Sequence, residues 1–284
     1  MTGAAVVTGG ASGIGRALAF ALAGRGRHVV IADIDAAAAQ RTAADIDRNL
    51  PGLASPAALD VRDADAVRAL IERVDRERGL DLLVNNAGIG VSGPAEELIT
   101  AHWTRQLEVN LWGVIHGVSA AYPLMRARGR GQILNTASLA GLVPVPGLLP
   151  YSTSKHAVVG LSLALRGEAA AYGVRVSVLC PGWVDTPLLD AGNPADLPPV
   201  TTRPGGREAI RAARLGRPVS PEAIAALALR GLDRNQALIV GPFAARAYWR
   251  AWRLAPAVVD RLTVAVARRV HERAGPMPST SARS

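Results

Sequence analysis

A tyrosine and a lysine stand four residues apart in Tyr151-Ser152-Thr153-Ser154-Lys155. Of the 32 lysine and arginine residues in the chain, Lys155 is the only lysine. Residues i and i+4 share one face of a helix, so this spacing sets a compact ammonium beside a phenol. Arginine presents a broad planar fork and stays protonated, whereas lysine is a point charge on a flexible stem. A free tyrosine has a pKa of about 10 and is a poor base at neutral pH. A cation within about 4–6 Å favours the phenolate and lowers that value. A phenol tuned in this way can take a proton from an alcohol or return one to a carbonyl.

A second group of residues could hold a dinucleotide. The apolar run Ala4-Ala5-Val6-Val7 leads into Thr8-Gly9-Gly10-Ala11-Ser12-Gly13-Ile14-Gly15 and then a helical stretch, Arg16 to Gly24. Glycines allow a tight turn and let a pyrophosphate approach backbone N–H groups. The helix N-terminus adds partial positive charge there. Gly9, Ser12, Gly13, Ile14 and Gly15 are therefore the candidate phosphate-side residues. The next apolar run, His28 to Ala32, ends at Asp33. A carboxylate at that place suits the two ribose hydroxyls of NAD and repels the extra phosphate of NADP. Arg16 is a counter-signal, but its place in the first helical turn reads as solvated or phosphate-steering. NAD is the expected cofactor, and NADP the less favoured one.

The spacing Thr-Gly-x-x-x-Gly-x-Gly resembles that of the short-chain dehydrogenase/reductase family, and further segments resemble it in the same order across residues 3–242. Asp60-Val61, read as a strand end, resembles the family's adenine contact. Asn85-Asn86-Ala87-Gly88 resembles its sheet-stabilising turn, and Asn110 its active-site helix asparagine. Ser138, 13 residues before Tyr151, resembles its substrate serine. Pro181-Gly182-Trp183-Val184-Asp185-Thr186 resembles the segment that holds the nicotinamide, with Pro181, Gly182, Val184 and Thr186 as its contacts. The resemblance implies a catalytic tetrad of Asn110, Ser138, Tyr151 and Lys155. Tyr151 would be the acid/base, and Lys155 would lower its pKa and bind the nicotinamide ribose. Ser138 would polarise the substrate oxygen, and Asn110 would hold a water by bending its helix and freeing a carbonyl. Asn86, Ala87 and Gly88 would line the cofactor cleft beside Tyr151 and Lys155. The implied activity is NAD(P)-dependent interconversion of a secondary alcohol and its ketone. An NADPH-dependent carbonyl reductase and a catalytically silent NAD-binding regulatory protein are the rival readings.

These residues need elements to position them. Apolar segments beginning near Ala4, His28, Ser55, Leu80, Gly131, Arg175 and Ala237 alternate with helical ones, which predicts an α/β fold of Rossmann type. Seven parallel strands in doubly wound order, with helices on both faces, would place the site at their carboxyl ends. Residues 1–242 would form this domain, with a substrate-covering loop at about 187–220. The apolar run Leu139 to Pro150, with Trp183, predicts a lipophilic substrate. Ser138, Leu139, Val143, Leu148, Tyr151 and Trp183 are the expected pocket residues. No metal site is expected: His102 and His116 have no ligand partners at metal-binding spacing and read as surface or packed residues. Asp33/Asp35 and Asp63/Asp65 read as a ribose contact and helix N-terminal acids.

The charge is uneven. Residues 1–202 hold 17 lysines and arginines against 18 acids, residues 203–284 hold 15 against 5, and the formal net charge is +9. No nucleic-acid reading motif accompanies the arginines, so nucleic acid is not an expected partner. Residues 243–274 read as a basic amphipathic helical extension, with Pro256 as a break or helix start. Packing of this arm on the domain or on a second subunit of a homodimer or homotetramer is favoured over peripheral membrane contact. Residues 275–284 read as a disordered tail. Cys180 has no disulfide partner in the chain, and no secretory leader or spanning segment is read, so a cytoplasmic protein is expected, with peripheral membrane attachment as the variant.

Overall fold

The computed structural model describes residues 3–200 and 217–273. Seven strands form one parallel sheet: β1 (Ala4–Thr8), β2 (Val29–Asp33), β3 (Ala54–Ala58), β4 (Leu80–Asn85), β5 (Gly131–Thr136), β6 (Val174–Pro181) and β7 (Leu238–Gly241). Their spatial order is β3-β2-β1-β4-β5-β6-β7. Parallel neighbours need crossovers, and here these include α1 (Gly13–Ala23), α2 (Ala36–Asp47), α3 (Ala64–Arg78), α4 (Thr100–Leu107), α5 (Gly113–Ala127), α6 (Leu149–Ala170) and α7 (Pro221–Asp233). The expected fold is the observed one. Chain direction across the sheet reverses between β1 and β4, and such a switch point opens a cleft at the carboxyl edge.

Both faces of the sheet are covered, which explains why the strands read as continuous apolar runs. Ala5, Val7, Val29 and Ile31 pack with Leu18 and Leu22 of α1 and Ile224 and Leu229 of α7. Ala4, Val6, Val30 and Leu83 point the other way, toward Ile71 of α3 and Met125 of α5. Each fully buried Leu or Ile of this kind contributes about 1.5–3 kcal/mol relative to exposure. Asp35 and Asp63 are N-caps, accepting from the backbone N–H of Ala38 at 2.8 Å and Ala66 at 2.9 Å.

After β7 the extension forms two helices, α8 (Phe243–Leu254) and α9 (Pro256–Arg273), and Pro256 opens the second. Ala245 is buried, and Trp249 packs beside Leu238 and Val240 of β7. The Tyr248 hydroxyl meets Thr263 Oγ1 at 3.2 Å across the two helices. No helix among the described residues is long and apolar enough to cross a membrane. The expected disordered tail, and residues 201–216 of the expected loop, lie outside the described residues.

Candidate active site

The glycine-rich turn is fastened to the end of β4. Thr8 Oγ1 accepts the N–H groups of Asn86 at 2.9 Å and Ala87 at 3.1 Å. Asn86 Nδ2 returns bonds to the carbonyls of Thr8 and Gly9, each at 3.2 Å. Gly9 has φ +61° and Gly13 φ +49°, a region that favours glycine, and a Cβ on Gly15 would collide with the Gly9 carbonyl. At the α1 N-terminus Ser12 makes no side-chain cap and the first turn has no acid, so its N–H groups keep their capacity for a phosphate. Ile14 packs against the α1 side of the core. Thr186 roofs this turn: a Cβ on Gly13 would lie 3.0 Å from its Cγ2.

Asp33 ends β2 with its carboxylate held in place. Oδ2 accepts the Ala11 N–H at 3.0 Å and Oδ1 the Asp35 N–H at 3.1 Å. Arg16, the counter-signal, pairs with Asp45 at 3.1 Å and lies over the Phe20 ring. Close-packed glycines, an uncapped helix start and a fixed carboxylate at the end of the neighbouring strand together fit a dinucleotide. At the adenine side the strand is shorter than expected: β3 stops at Ala58, before Asp60-Val61. Asp60 is forked by Arg62, with Nε and Nη2 at 2.9 and 2.6 Å from Oδ2. That hydrogen bonding holds its pKa below the usual carboxylate value. Val61 is buried, and its carbonyl accepts His116 Nδ1–H at 2.9 Å.

The acid/base side is built where β5 and β6 end against α6. Tyr151 and Lys155 share the first turns of α6, as their spacing requires. Ser138, just beyond β5, caps the 3-10 turn Leu139–Gly141 through the Ala140 N–H at 3.1 Å. Its side chain lies beside Tyr151 and helps to hold down the phenol's pKa. Lys155 is 4 % exposed, and its Nζ donates to the Thr136 carbonyl at 2.9 Å. Asn110 lies in a π-helical turn, Glu108–Trp112, so the expected bend is a wide turn within the helix. Its Oδ1 accepts the Ile89 N–H at 2.9 Å and its Nδ2 donates to the Ile89 carbonyl at 3.0 Å. A Cβ on Gly88 would stand 3.4 Å from Asn110 Oδ1 and 3.6 Å from Lys155 Nζ, so Asn110 and Lys155 meet at this loop.

The electrostatics differ from the simple expectation. Burial raises the Tyr151 pKa above its ordinary value, opposed by the Ser138 side chain. Lys155 Nζ is 5.6 Å from the phenol ring centroid. Its own pKa falls to about 8 because of burial. Cys180, on β6, is raised to about 12, again by burial, with the nearby Lys155 and Ser138 backbone opposing the rise. Desolvation here acts on every group at once. The sequence treated Cys180 only as an unpaired thiol; its position two residues before Gly182 was the available signal.

The expected pocket residues are unequal in access. Leu139, Leu148 and Trp183 keep partial exposure, whereas Val143 is 1 % exposed and buried away from solvent. Pro181 and Val184 are buried, and a Cβ on Gly182 would press on Ala245 at 2.9 Å. Gln106 escaped sequence reading although it lies one turn before Asn110. It is fully buried, accepts the Val91 N–H at 2.7 Å, donates to the Ile89 carbonyl at 3.1 Å and reaches Ser154 Oγ at 3.5 Å.

Known proteins resemble this chain in sequence and in fold. A family model described as short chain dehydrogenase matches residues 3–196. A protein named "Probable oxidoreductase EphD" from Mycobacterium tuberculosis is 44 % identical over 185 residues, spanning 64 % of this chain. The chain covers only 31 % of that protein's length. A cis-4-hydroxycyclohexanecarboxylate dehydrogenase from Sinomonas cyclohexanicum is 43 % identical over 230 residues, covering 79 % of this chain and 88 % of the relative. A solved short chain dehydrogenase/reductase from Burkholderia phymatum, in complex with NAD, has 32 % identity and a TM-score of 0.80, and covers 90 % of this chain and 95 % of that one. By sequence match, by fold and by the meeting of Asn110, Ser138, Tyr151 and Lys155 at the sheet's carboxyl edge, the chain belongs to the short-chain dehydrogenase/reductase family.

Proposed function

We propose that this chain interconverts a lipophilic secondary alcohol and its ketone, with NAD as the hydride partner and Tyr151 as the acid/base. The observation that carries the reading is the grouping of Tyr151 and Ser138 beside the buried Lys155, whose Nζ lies 5.6 Å from the phenol ring centroid. An alcohol oxygen placed between these two hydroxyls would be held by Ser138, which can both donate and accept. In oxidation its proton passes to Tyr151 Oη, and in reduction Tyr151 returns it. Lys155 keeps a positive charge near the phenol and steadies the ionised form. Asn110 fixes Ile89, and the widened turn would leave a carbonyl for a water. Gly9, Gly13, Gly15, Asp33, Asn86 and Thr186 would hold the dinucleotide. Bound there, its nicotinamide would exchange a hydride with the substrate carbon.

Asp33 supports NAD over NADP, and Arg16 is committed to Asp45. A ring-bearing alcohol is the favoured substrate. Leu139, Leu148, Trp183 and Leu188 are accessible apolar side chains that such a substrate would use, and relatives are named for cyclic alcohols, including a cyclohexanol dehydrogenase from Acinetobacter that is 37 % identical. NADH formation with a panel of secondary alcohols, run beside Tyr151→Phe, tests the reading. Turnover of a cyclic alcohol that vanishes in the variant is expected; activity limited to small hydrophilic polyols would overturn the substrate assignment.

The extension suggests a homo-oligomer. Phe243 and Leu254 are 81 % and 86 % exposed, and Val258 and Leu262 are also open. Apolar faces of this kind are normally covered, and we read a second subunit of a homodimer or homotetramer as the cover. Arginines on the same helices favour one rival, an anionic membrane surface. Light scattering and vesicle flotation of the full chain and of Leu254→Asp/Leu262→Asp decide: a lost oligomer supports the first reading, lost flotation the second.

A further inference from the structure

Three polar side chains with almost no exposure lie in a row along α4 and the π-helical turn. His102 is 1 % exposed, and Gln106 and Asn110 are 0 % exposed. Buried polar groups are hydrogen-bonded in native proteins, and here the partners are irregular chain on either side of the cleft. Asn110 and Gln106 hold residues 89–91, as described above. His102 serves the other side. Its Nδ1 accepts the Ile99 N–H at 3.2 Å, so Nε2 carries the proton and donates to the Pro198 carbonyl at 2.9 Å.

Two further links reinforce that contact. Arg105, on the same helix, pairs with Asp196 through a short two-nitrogen contact. Asn193 accepts the Ser92 N–H and donates to the Ser92 carbonyl, both at 2.9 Å. Gly93 leaves room for Val200, whose Cγ2 would stand 3.1 Å from an added Cβ. The strand of chain so held starts at the cofactor turn, where Thr186 faces Gly13. It passes Gly90, where Leu188 Cδ1 lies 3.7 Å from an added Cβ, and ends on α4. It therefore runs from the cofactor turn, past the chain that follows β4, to α4.

We propose that His102, Arg105 and Asn193 are specificity-determining positioning residues that fix segment 193–198 as the outer wall of the alcohol site. The inference rests on the reading of Ser138 and Tyr151 as that site. The wall decides which ring sizes fit, because one methylene in an apolar pocket is worth about 10–200-fold in selectivity. The Arg105–Asp196 pair is too exposed to contribute much stability. Its loss acts on the wall while the fold stays intact.

The test uses the full chain with Asn193→Ala, Asp196→Ala, His102→Leu, and the charge exchange Arg105→Asp/Asp196→Arg beside its two single variants. Two readouts are taken: kcat/KM across cyclic alcohols of increasing ring size, and hydrogen exchange of the Ser92 amide, which needs no turnover. Asn193→Ala and Asp196→Ala are expected to compress the selectivity ratio between ring sizes about tenfold, with the NAD dissociation constant unchanged. Asp196→Ala and His102→Leu should speed exchange at Ser92, although neither residue touches it, and the charge exchange should restore both readouts. Unchanged Ser92 protection in Asp196→Ala, or an exchanged pair no better than its singles, overturns the proposal. So does a uniform loss across all alcohols and in NAD affinity, which is what a purely structural α4 would give. Absence of turnover in the unaltered chain would instead defeat the alcohol reading, and the Ser92 measurement would still decide the clasp.

Discussion

The two sides of the cleft are made differently. The dinucleotide side is backbone brought close to backbone: Gly9, Gly13 and Gly15 beneath a helix start, tied by Thr8 and Asn86 to the next strand. The alcohol side is irregular chain held by long side chains from one helix, His102, Arg105 and Gln106 on α4. The first arrangement leaves little room for substitution, and the second can be retuned one side chain at a time. A common cofactor site and a variable substrate site follow from that contrast.

The largest effect should come from the residues between the two sides. Tyr151→Phe should lower kcat at least about a thousandfold, within the range for a removed acid/base, with NAD affinity unchanged by calorimetry. Lys155→Met should abolish turnover too, yet melt no lower than the parent at pH 7. Below pH 8 the ammonium is charged in both folded and unfolded chains, and its burial opposes folding. Between its folded pKa of about 8 and its unfolded value the folded chain sheds the proton and that penalty eases. The stability advantage of Lys155→Met should therefore shrink as pH rises from 8 to 10, by thermal denaturation.

On the dinucleotide side, Asp33→Ser should cut kcat/KM for NAD about ten- to a hundredfold and raise that for NADP. An unchanged preference would place the discrimination elsewhere. Gly15→Ala forces a Cβ onto the Gly9 carbonyl. It should cost about 1–3 kcal/mol and weaken NAD binding, readable as a lower Tm with less ligand-induced gain. Arg16→Ala should do least. Its pair with Asp45 is 43 % and 36 % exposed, so about 0–1 kcal/mol is expected, without a shift in cofactor preference. A large gain in NADP use would mean that Arg16 had been guarding the ribose site.

What the sequence revealed follows the same division. The glycine spacing, Asp33 and the Tyr151–Lys155 step are local patterns, and local patterns survive in a string of letters. The strand starts were legible chiefly because the strands other than β3 are buried on both faces; β3, half exposed at the sheet edge, had only its flanking pattern to mark it. The expected lowering of the tyrosine pKa is reversed here, because the phenol's own desolvation is the largest influence on it. Cys180 beside Ser138 went unseen for a related reason: its neighbours come from another strand. His102 read only as surface or packed, and Gln106 did not register. Their partners lie 96 and 15 residues away in chain, in loops without a pattern. Asp60 fell outside its strand because β3 ends at Ala58 and the Arg62 fork takes over.

The π-helical turn at Glu108–Trp112 carries a consequence for the rod it interrupts. An added residue changes the angular phase of everything after it, by roughly the 100° that one residue spans in an α-helix. Before the turn, the rod aims His102 and Gln106 at the cleft loops. After it, the rod aims Gly113, Gly117 and Ala121 inward, close enough that a Cβ on Gly117 would strike Asn85 and one on Gly113 would stand 2.7 Å from Val61 Cγ2. One continuous helix thus serves two faces that a uniform helix would hold in a different relation. Deleting a single residue within 108–112 would put them out of step, while most substitutions there would leave the phase untouched. Insertions and deletions, rather than point changes, are the mutations to which this stretch is most sensitive.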